Sequence, residues 1–208
     1  MPIILTTENK LAMKYFVYLA SQSPRRRQLL EQIGVRYELL LATPDEDAES
    51  LERVILGETP LTYVKRVTQL KLEAAVQRMQ ARHLKPAPVL CADTTVALGR
   101  EILGKPENAQ DAVRILKTLS GQTHRVLTAV AVASGRQRLL RVVVSKVRFA
   151  PMKLAQIKAY VATGEPFGKA GAYGVQGMAA AYISEIQGSY TGIMGLPLFE
   201  TAELLKSI

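Results

Sequence analysis

Residues 15–30, YFVYLASQSPRRRQLL, contain the signals that decide how the fold begins. The apolar run 15–19 predicts a β-strand, because it is followed at once by small polar residues. Ser23 then stands where a helix N-cap belongs, and Pro24 lies just inside the first turn. A helix is therefore predicted over residues 24–33, and a strand followed directly by a helix favours an α/β fold.

The start of this helix also predicts an anion site. The first-turn N–H groups have no partners inside the helix and carry the positive end of the helix dipole, so Arg25, Arg26 and Arg27 are unfavourable there unless an anion binds. Successive helical residues lie ~100° apart, so at most two of the three arginines face one ligand. The alternative is an ordinary solvated helix rich in arginine.

Composition indicates a globular chain with a basic charge balance. With 208 residues, 48% of them apolar and 22% charged, the chain fits one domain or one elongated domain with two lobes. The formal net charge of +9 favours polyanionic ligands such as nucleotides, nucleic acid or anionic membrane, and charge alone does not choose among them.

Cysteine use and hydropathy predict a cytoplasmic protein. The one cysteine, Cys91, lies in an apolar run, which predicts a reducing compartment and a core residue rather than a nucleophile. Apolar runs stay well short of the ~20 residues of a membrane span, and the N-terminus lacks a secretory pattern. Residues 1–12 match no element and are expected to be a dispensable leader ahead of a domain over 13–208.

Further along the chain, helical and strand periods alternate without repeats. The predicted architecture is mixed α/β, with a central, partly antiparallel sheet flanked by helices. The predicted strands are 35–41, 89–92 with a possible extension over 94–98, 102–103 after a hairpin turn, 124–133, 139–149 and 182–186; the predicted helices are 60–82, 108–119, 151–161 and 197–206, and 44–52 is predicted to be an exposed acidic loop.

Three charged residues are candidates for chemistry. Asp93 is a lone carboxylate at the end of an apolar strand, where open α/β sheets commonly hold functional groups, although it could simply cap a turn. Lys105 stands between Gly104 and Pro106, which fix the local backbone direction. Lys71 lies in the long helix, where a solvated position is the plain alternative.

A divalent metal site is a further hypothesis. Asp45 or Glu46 could supply a carboxylate opposite Asp93, since cations that partner phosphates prefer oxygen ligands, but the acidic loop also has an ordinary explanation in solubility. His124 and His83 lack the spacing of zinc ligands, which argues against zinc.

The glycine-rich stretch 169–177, KAGAYGVQG, is the remaining candidate. Its small residues allow the backbone to approach a ligand, and Gln176 offers the donor and acceptor that recognition of a base edge requires; the alternative is a flexible loop. No Walker pattern, dinucleotide fingerprint, nucleophile elbow or kinase motif set is present.

Taken together, these segments resemble the Maf family of nucleoside triphosphate pyrophosphatases, in particular its branch acting on dTTP and UTP. The matching pieces follow the family order from about residue 15 to the C-terminus. Two departures are Val67-Thr68, where relatives commonly have Leu-Ala, and the segment 165–168. The matching pieces are LASQSPRR (19–26), ADT (92–94), GKP (104–106), LSGQTH (119–124), KAGAYGVQG (169–177), GSY (188–190) and GLP (195–197).

The resemblance implies a Maf/ITPase-like fold, hydrolysis between the α- and β-phosphates to a monophosphate and pyrophosphate, a divalent cation (Mg, Mn or Co) and a homodimer. Asp93 matches the catalytic carboxylate, acting as general base or metal ligand. The remaining matches are Glu46 with metal binding, Lys71 and Lys105 with the triphosphate, Arg25, Thr94 and Gln176 with substrate selection, and Ser21 and Arg26 with the phosphate cradle.

Two other functions stay open on the sequence. A nucleic-acid-binding module would use the net charge, but such proteins interleave aromatic residues for stacking, and this chain has no Trp and 6% aromatic residues. A nucleotide-sensing regulator of cell division is the second alternative, against which the presence of Asp93, Lys71 and Lys105 favours turnover.

Overall fold

The computed structural model describes residues 15–43, 45–46 and 50–208. The expected leader, residues 1–12, lies outside this range. The strands are β1 (Phe16–Leu19), β2 (Arg36–Leu39), β3 (Val89–Leu98), β4 (Glu101–Leu103), β5 (Thr123–Ser134), β6 (Gln137–Phe149) and β7 (Ile183–Gln187). The helices are α1 (Pro24–Gln32), α2 (Pro60–Ala81), α3 (Ala109–Leu119), α4 (Leu154–Ala162), α5 (Tyr190–Met194) and α6 (Leu198–Lys206), with short 3₁₀ turns at Ser50–Glu52, Ala170–Ala172 and Met178–Tyr182.

The described strands form one mixed sheet, as predicted. Its order is β2-β1-β3-β5-β6-β7, and β4 pairs with β3 off this path. β1 is parallel to β2 and β3, whereas the pairs β3/β5, β5/β6, β6/β7 and β3/β4 are antiparallel. The parallel part holds the opening strand–helix–strand unit, and the antiparallel part holds the long hairpin β5–β6.

One edge of β3 is interrupted where the candidate carboxylate lies. β1 pairs only with Val89 and Leu90, and β4 begins to pair at Val96, while β5 follows the other edge of β3 from Val89 to Ala97. In the described part of the chain, residues 91–95 therefore have no strand partner on the first side. This sheet gap, residues 91–95 of β3, opens a cleft beside Asp93 and Thr94.

The core consists of separate clusters on either side of the gap. The largest cluster joins α3 and α4 to Val96 and Val126, beyond the gap. A second cluster joins α1 and α6 to Leu90, just before the gap, and to Ala92, near its start. The functional part of β3 is thus held at both ends by packed apolar side chains. Among the described residues, no helix is both long and apolar enough to cross a bilayer.

Two local expectations need correction. Ser23 occupies the N-cap position of α1, but its side chain makes no capping bond; its main-chain N–H instead donates to Ser21 Oγ at 3.2 Å. The segment before α6 was not predicted to be helical, yet α5 forms there, because the Ser189 side chain accepts from the Gly192 N–H and supplies a cap.

Candidate active site

A cavity of about 540 Å³ lies at the sheet gap, within the usual size range of small-molecule sites. It is bordered by the start of α1, the middle of β3, one face of α2, the 168–176 segment and the turn after α5. Cations outnumber carboxylates six to two along this border, which favours a ligand with several negative charges. The cations are Arg25, Arg26, Lys71, Arg78, Lys105 and Lys169, and the carboxylates are Glu52 and Asp93.

The first turn of α1 brings two of its three arginines to the cavity, in agreement with the helical geometry. Arg25 Nε donates to the Met194 carbonyl at 3.1 Å, and Arg26 Nε donates to the Gly195 carbonyl at 2.8 Å. Arg27 is not among the residues that border the cavity. The C-terminal end of α5 and the residue that follows it therefore fix both guanidinium groups, which reduces the rotamer entropy lost when an anion binds.

Arg25 and Arg26 together form an arginine cradle at the cavity, and Arg26 connects this arginine cradle to β3. Its Nη1 donates to Ser21 Oγ at 3.0 Å, and its Nη2 donates to Thr94 Oγ1 at 3.4 Å. Thr94 Oγ1 also accepts from Thr128 Oγ1 at 3.1 Å. Burial lowers the pKa of Arg26, and the nearby charge of Asp93 opposes that shift. The structure thus brings together four candidate site residues, Ser21, Arg25, Arg26 and Thr94.

On the other face of β3, Asp93 begins a chain of alternating charges. Lys71 Nζ lies 2.6 Å from Asp93 Oδ1 and 2.7 Å from Glu52 Oε1. Lys105 Nζ lies 2.9 Å from Glu52 Oε2. Burial lowers the pKa of Lys71, but the charges of Asp93 and Glu52 outweigh it, so the net pKa is raised and the ammonium stays protonated.

Asp93 and Thr94 reach opposite faces because successive strand residues point to opposite sides. A ligand beside an intact strand would meet only one of these faces. At the sheet gap the edge of β3 itself borders the cavity, so one ligand can contact the arginine cradle and the Asp93–Lys71 pair together.

The glycine-rich segment closes the cavity on a third side. The Gly171 N–H donates to the Gly104 carbonyl at 3.0 Å, which holds this segment beside the loop of Lys105. Gly171 has φ +73°, and a Cβ there would meet Val96 at 2.9 Å, so only glycine fits. Gln176 is exposed at the cavity, and its amide has no hydrogen-bond partner among the described residues. It is therefore free to pair with a ligand.

A buried aromatic cluster of His124, Phe149 and Tyr173 packs against this segment. His124 Nε2 lies 2.8 Å from the Tyr173 hydroxyl, and both rings contact Phe149 edge-on. Tyr173 also borders the cavity. Burial lowers the pKa of His124 to about 4, so the ring is neutral at physiological pH. His124 therefore has a structural role: it holds Tyr173 of the glycine-rich segment 169–177 in place.

The structure does not bring Glu46 to Asp93. Both Glu46 oxygens accept from the Arg78 guanidinium at 2.5–2.9 Å, and Glu46 is not among the residues that border the cavity. Arg78 also donates to the Leu40 carbonyl at 3.0 Å. The role of Glu46 as a metal ligand stays a prediction that this placement does not support; its observed contacts tie the acidic segment to α2.

The Glu46→Gln variant is expected to lose about 1–2 kcal/mol of unfolding free energy at pH 7, because it leaves the buried Arg78 guanidinium without its carboxylate and the pair is partly screened by solvent. The Arg78 hydrogen bonds lower the pKa of Glu46 to about 2. This stabilisation is therefore complete above about pH 4.5 and is lost as the pH falls towards 2.

Urea unfolding of wild type and Glu46→Gln at pH 7 and pH 3 measures this contribution. Glu73→Gln, which removes a carboxylate from an exposed pair with Arg138, is the matched control, with an expected change below about 0.5 kcal/mol. Unchanged stability of Glu46→Gln together with weakened metal dependence of the protein would contradict the structural role.

Two residues of this site escaped sequence reasoning. Glu52 was one of several acids in a loop attributed to solubility, and no local signal separates it from its neighbours. Lys169 was noted only as the cation of the glycine-rich motif; it borders the cavity, and its Nζ donates to the Glu165 carbonyl. Burial and the nearby charge of Arg25 lower the pKa of Lys169, as expected for a cation among cations.

Among the residues that the structure describes, no three acidic, His or Cys side chains converge to form a metal site by themselves. Asp93 and Glu52 both reach the same point, the Lys71 ammonium. Mg²⁺ in phosphate-binding sites commonly uses one or two carboxylates, with water and phosphate oxygens completing its coordination. The donor set at Asp93 fits a cation that arrives with a phosphate ligand.

The fold and the cavity together define an α/β protein with a cationic cleft at a sheet edge, suited to a phosphorylated ligand of nucleotide size. A family model described as "Maf-like protein" matches residues 16–208. The chain therefore belongs to the Maf-like protein family, and the resemblance found in the sequence is confirmed.

Curated relatives agree over nearly the whole chain. The dTTP/UTP pyrophosphatase of Polaromonas sp. (strain JS666 / ATCC BAA-500) is 66% identical over 192 residues, which cover 92% of this chain and 95% of that protein. The dTTP/UTP pyrophosphatase of Albidiferax ferrireducens is 64% identical, with 94% and 98% covered. The protein of the same name from Ralstonia nicotianae is 62% identical, with 91% and 92% covered.

Proposed function

We propose that this protein is a nucleoside triphosphate pyrophosphatase that hydrolyses dTTP and UTP to the monophosphate and pyrophosphate. The observation that carries the proposal is the Asp93 carboxylate, held by Lys71 beside a cleft in which cations outnumber carboxylates. The names of the relatives, at 62–66% identity over most of the chain, support the substrates.

The cations bind and orient the phosphate chain. Arg25, Arg26 and the N-terminus of α1 bind anionic oxygens on one side of β3, and Lys71 and Lys105 bind them on the other. Hydrolysis of a phosphoanhydride depends mainly on charge neutralisation and on alignment of the attacking water. Asp93 contacts Lys71 on one face of β3, and Thr94 contacts Arg26 on the other.

Asp93 acts on the attacking water, either as its general base or as a ligand of a divalent cation such as Mg²⁺, Mn²⁺ or Co²⁺. Such a cation, bound with the substrate, supplies charge neutralisation on the phosphates. Lys71 keeps the Asp93 carboxylate in place through their 2.6 Å contact.

The glycine-rich segment 169–177 selects among the bases of the nucleotide. Gln176 presents a free amide at the cavity, and an amide can pair with both the carbonyl and the N–H of a pyrimidine edge. Arg25 and Thr94 also border the cavity. The cations converge in a cavity, which favours a nucleotide over a nucleic-acid polymer.

A homodimer in the cytoplasm completes the proposal. One edge of β6 pairs with β5 over residues 137–148, and the other edge pairs with β7 only at Lys146–Phe149. In the described part of the chain, residues 137–145 therefore have no strand partner on that second edge. Such an edge favours pairing with a second copy. The single cysteine, Cys91, is buried and suits a reducing compartment. Sedimentation analysis of the full chain measures the dimer directly.

Pyrophosphate release from a panel of canonical and methylated nucleoside triphosphates, with and without Mg²⁺ or Mn²⁺, tests the activity. We expect metal-dependent release from dTTP and UTP and little from purine nucleotides. Release from none of them would contradict the proposal and favour a sensing role.

A further inference from the structure

Glu52 occupies the position between the two lysines that the substrate phosphates are expected to contact. Its Oε1 lies 2.7 Å from Lys71 Nζ, and its Oε2 lies 2.9 Å from Lys105 Nζ. One carboxylate therefore binds both ammonium groups at once. A phosphate group presents its oxygens in a similar way, so Glu52 stands where an anionic ligand would bind.

The main chain of Glu52 is held by α2. The Tyr63 hydroxyl donates to the Glu52 carbonyl at 2.9 Å, whereas the Glu52 side chain is 32% exposed at the cavity. Burial and the charges of Asp93 and Glu52 raise the pKa of Tyr63 to about 12, so this hydroxyl keeps its proton. The backbone is thus anchored while the carboxylate faces the ligand.

The Glu52 carboxylate and a bound phosphate chain oppose each other. Both are anions, and both bind Lys71 and Lys105. The side chain of Lys105 is half-exposed and can move from one partner to the other. Like charges placed together in a site cost free energy, so an incoming phosphate must displace Glu52 from at least one lysine.

We propose that Glu52 is an internal competitor for the phosphate site: it holds Lys71 and Lys105 ready in the free protein, and the phosphate chain displaces it on binding. This inference rests on the proposed function. Highly charged ligands overcome the competition more easily than weakly charged ones, so Glu52 favours a triphosphate over the monophosphate product. It is a residue that determines specificity for the length of the phosphate chain.

Calorimetric titration of inorganic pyrophosphate in EDTA tests the inference without metal and without turnover. The Glu52→Gln variant keeps the shape of the side chain and removes its charge. We expect its Kd for pyrophosphate to fall about tenfold below that of wild type. Glu73→Gln, which removes one charge from α2 at an exposed pair, is the matched control and should change Kd by less than about twofold.

A second arm separates competition from a structural role. In the Lys105→Gln background, Glu52→Gln should tighten pyrophosphate binding by clearly less than in wild type, because one of the two contested cations is gone. In steady-state assays Glu52→Gln should lower KM for dTTP. Loss of fold would instead weaken binding and lower kcat.

The outcomes are distinct for the two proposals. Wild type that binds pyrophosphate and hydrolyses dTTP, with a folded Glu52→Gln variant of equal or weaker affinity, would overturn the competitor role and leave the pyrophosphatase intact. Wild type that neither binds pyrophosphate nor releases it from any triphosphate would overturn both.

Discussion

Replacement of Asp93 by asparagine is expected to lower kcat for dTTP hydrolysis by about 10³-fold. The carboxylate is the one acidic group of the cavity that lies on β3, and an amide can neither accept the proton of the attacking water nor bind a cation with full charge. Lys71 keeps Glu52 as a partner in this variant, so the fold should survive. Thermal unfolding of the variant, measured beside the kinetic assay, checks that expectation.

Asp111→Asn is the matched control, since Asp111 lies at the first turn of α3 away from the cavity. Its kcat should stay within about twofold of wild type. Excess Mn²⁺ separates the two roles of Asp93: partial rescue of Asp93→Asn indicates a metal ligand, and no rescue indicates the general base. A folded Asp93→Asn variant with wild-type kcat would remove Asp93 from the mechanism.

A loss of about 3 kcal/mol of unfolding free energy is expected from His124 alone as the pH falls from about 6.5 to 4. Burial lowers the pKa of His124 to about 4 in the folded protein. Between these values the unfolded chain binds a proton that the folded chain does not, so unfolding is favoured by acid. Above about pH 6.5 the contribution is complete. The His124 Nδ1 is buried and has no hydrogen-bond partner among the described residues, so a proton added there would create a buried, unpaired charge.

Urea unfolding at several pH values, for wild type and His124→Gln, measures this effect. The glutamine amide can still pair with the Tyr173 hydroxyl but does not titrate, so the pH dependence over this range should largely disappear. His83→Asn is the control, because His83 is exposed and asparagine tolerates its φ of +51°. Equal pH dependence in wild type and His124→Gln would show that His124 is not the group responsible.

The fold could be predicted to a large extent because its signals are local. Thr59 caps α2 as predicted, and its side chain accepts from the Thr62 N–H. The β-branched residues around Gly135 predicted the β5–β6 hairpin. Asp93 was predicted to stand at the end of a strand over 89–92, but β3 continues through Asp93 and Thr94 to Leu98, because β5 pairs with it from Val89 to Ala97.

Candidate site residues could be predicted only where they belong to a recognisable sequence motif. Glu46 and Glu52 stand six positions apart in the same acidic segment, yet one pairs with Arg78 and the other enters the cavity. Their difference arises from tertiary contacts, which composition does not encode. His124 was interpreted as a strand-leading residue, because its partner Tyr173 lies far along the chain.

The sheet gap at residues 91–95 sets a limit on how far this protein can be made thermostable by redesign. Extending β4 or β1 along β3 would satisfy backbone N–H and C=O groups and add rigidity. The same extension would fill the opening through which both faces of β3 reach one ligand. Mutations that lengthen these strands should therefore raise the melting temperature at the expense of turnover, as a trade-off between stability and activity built into the sheet itself.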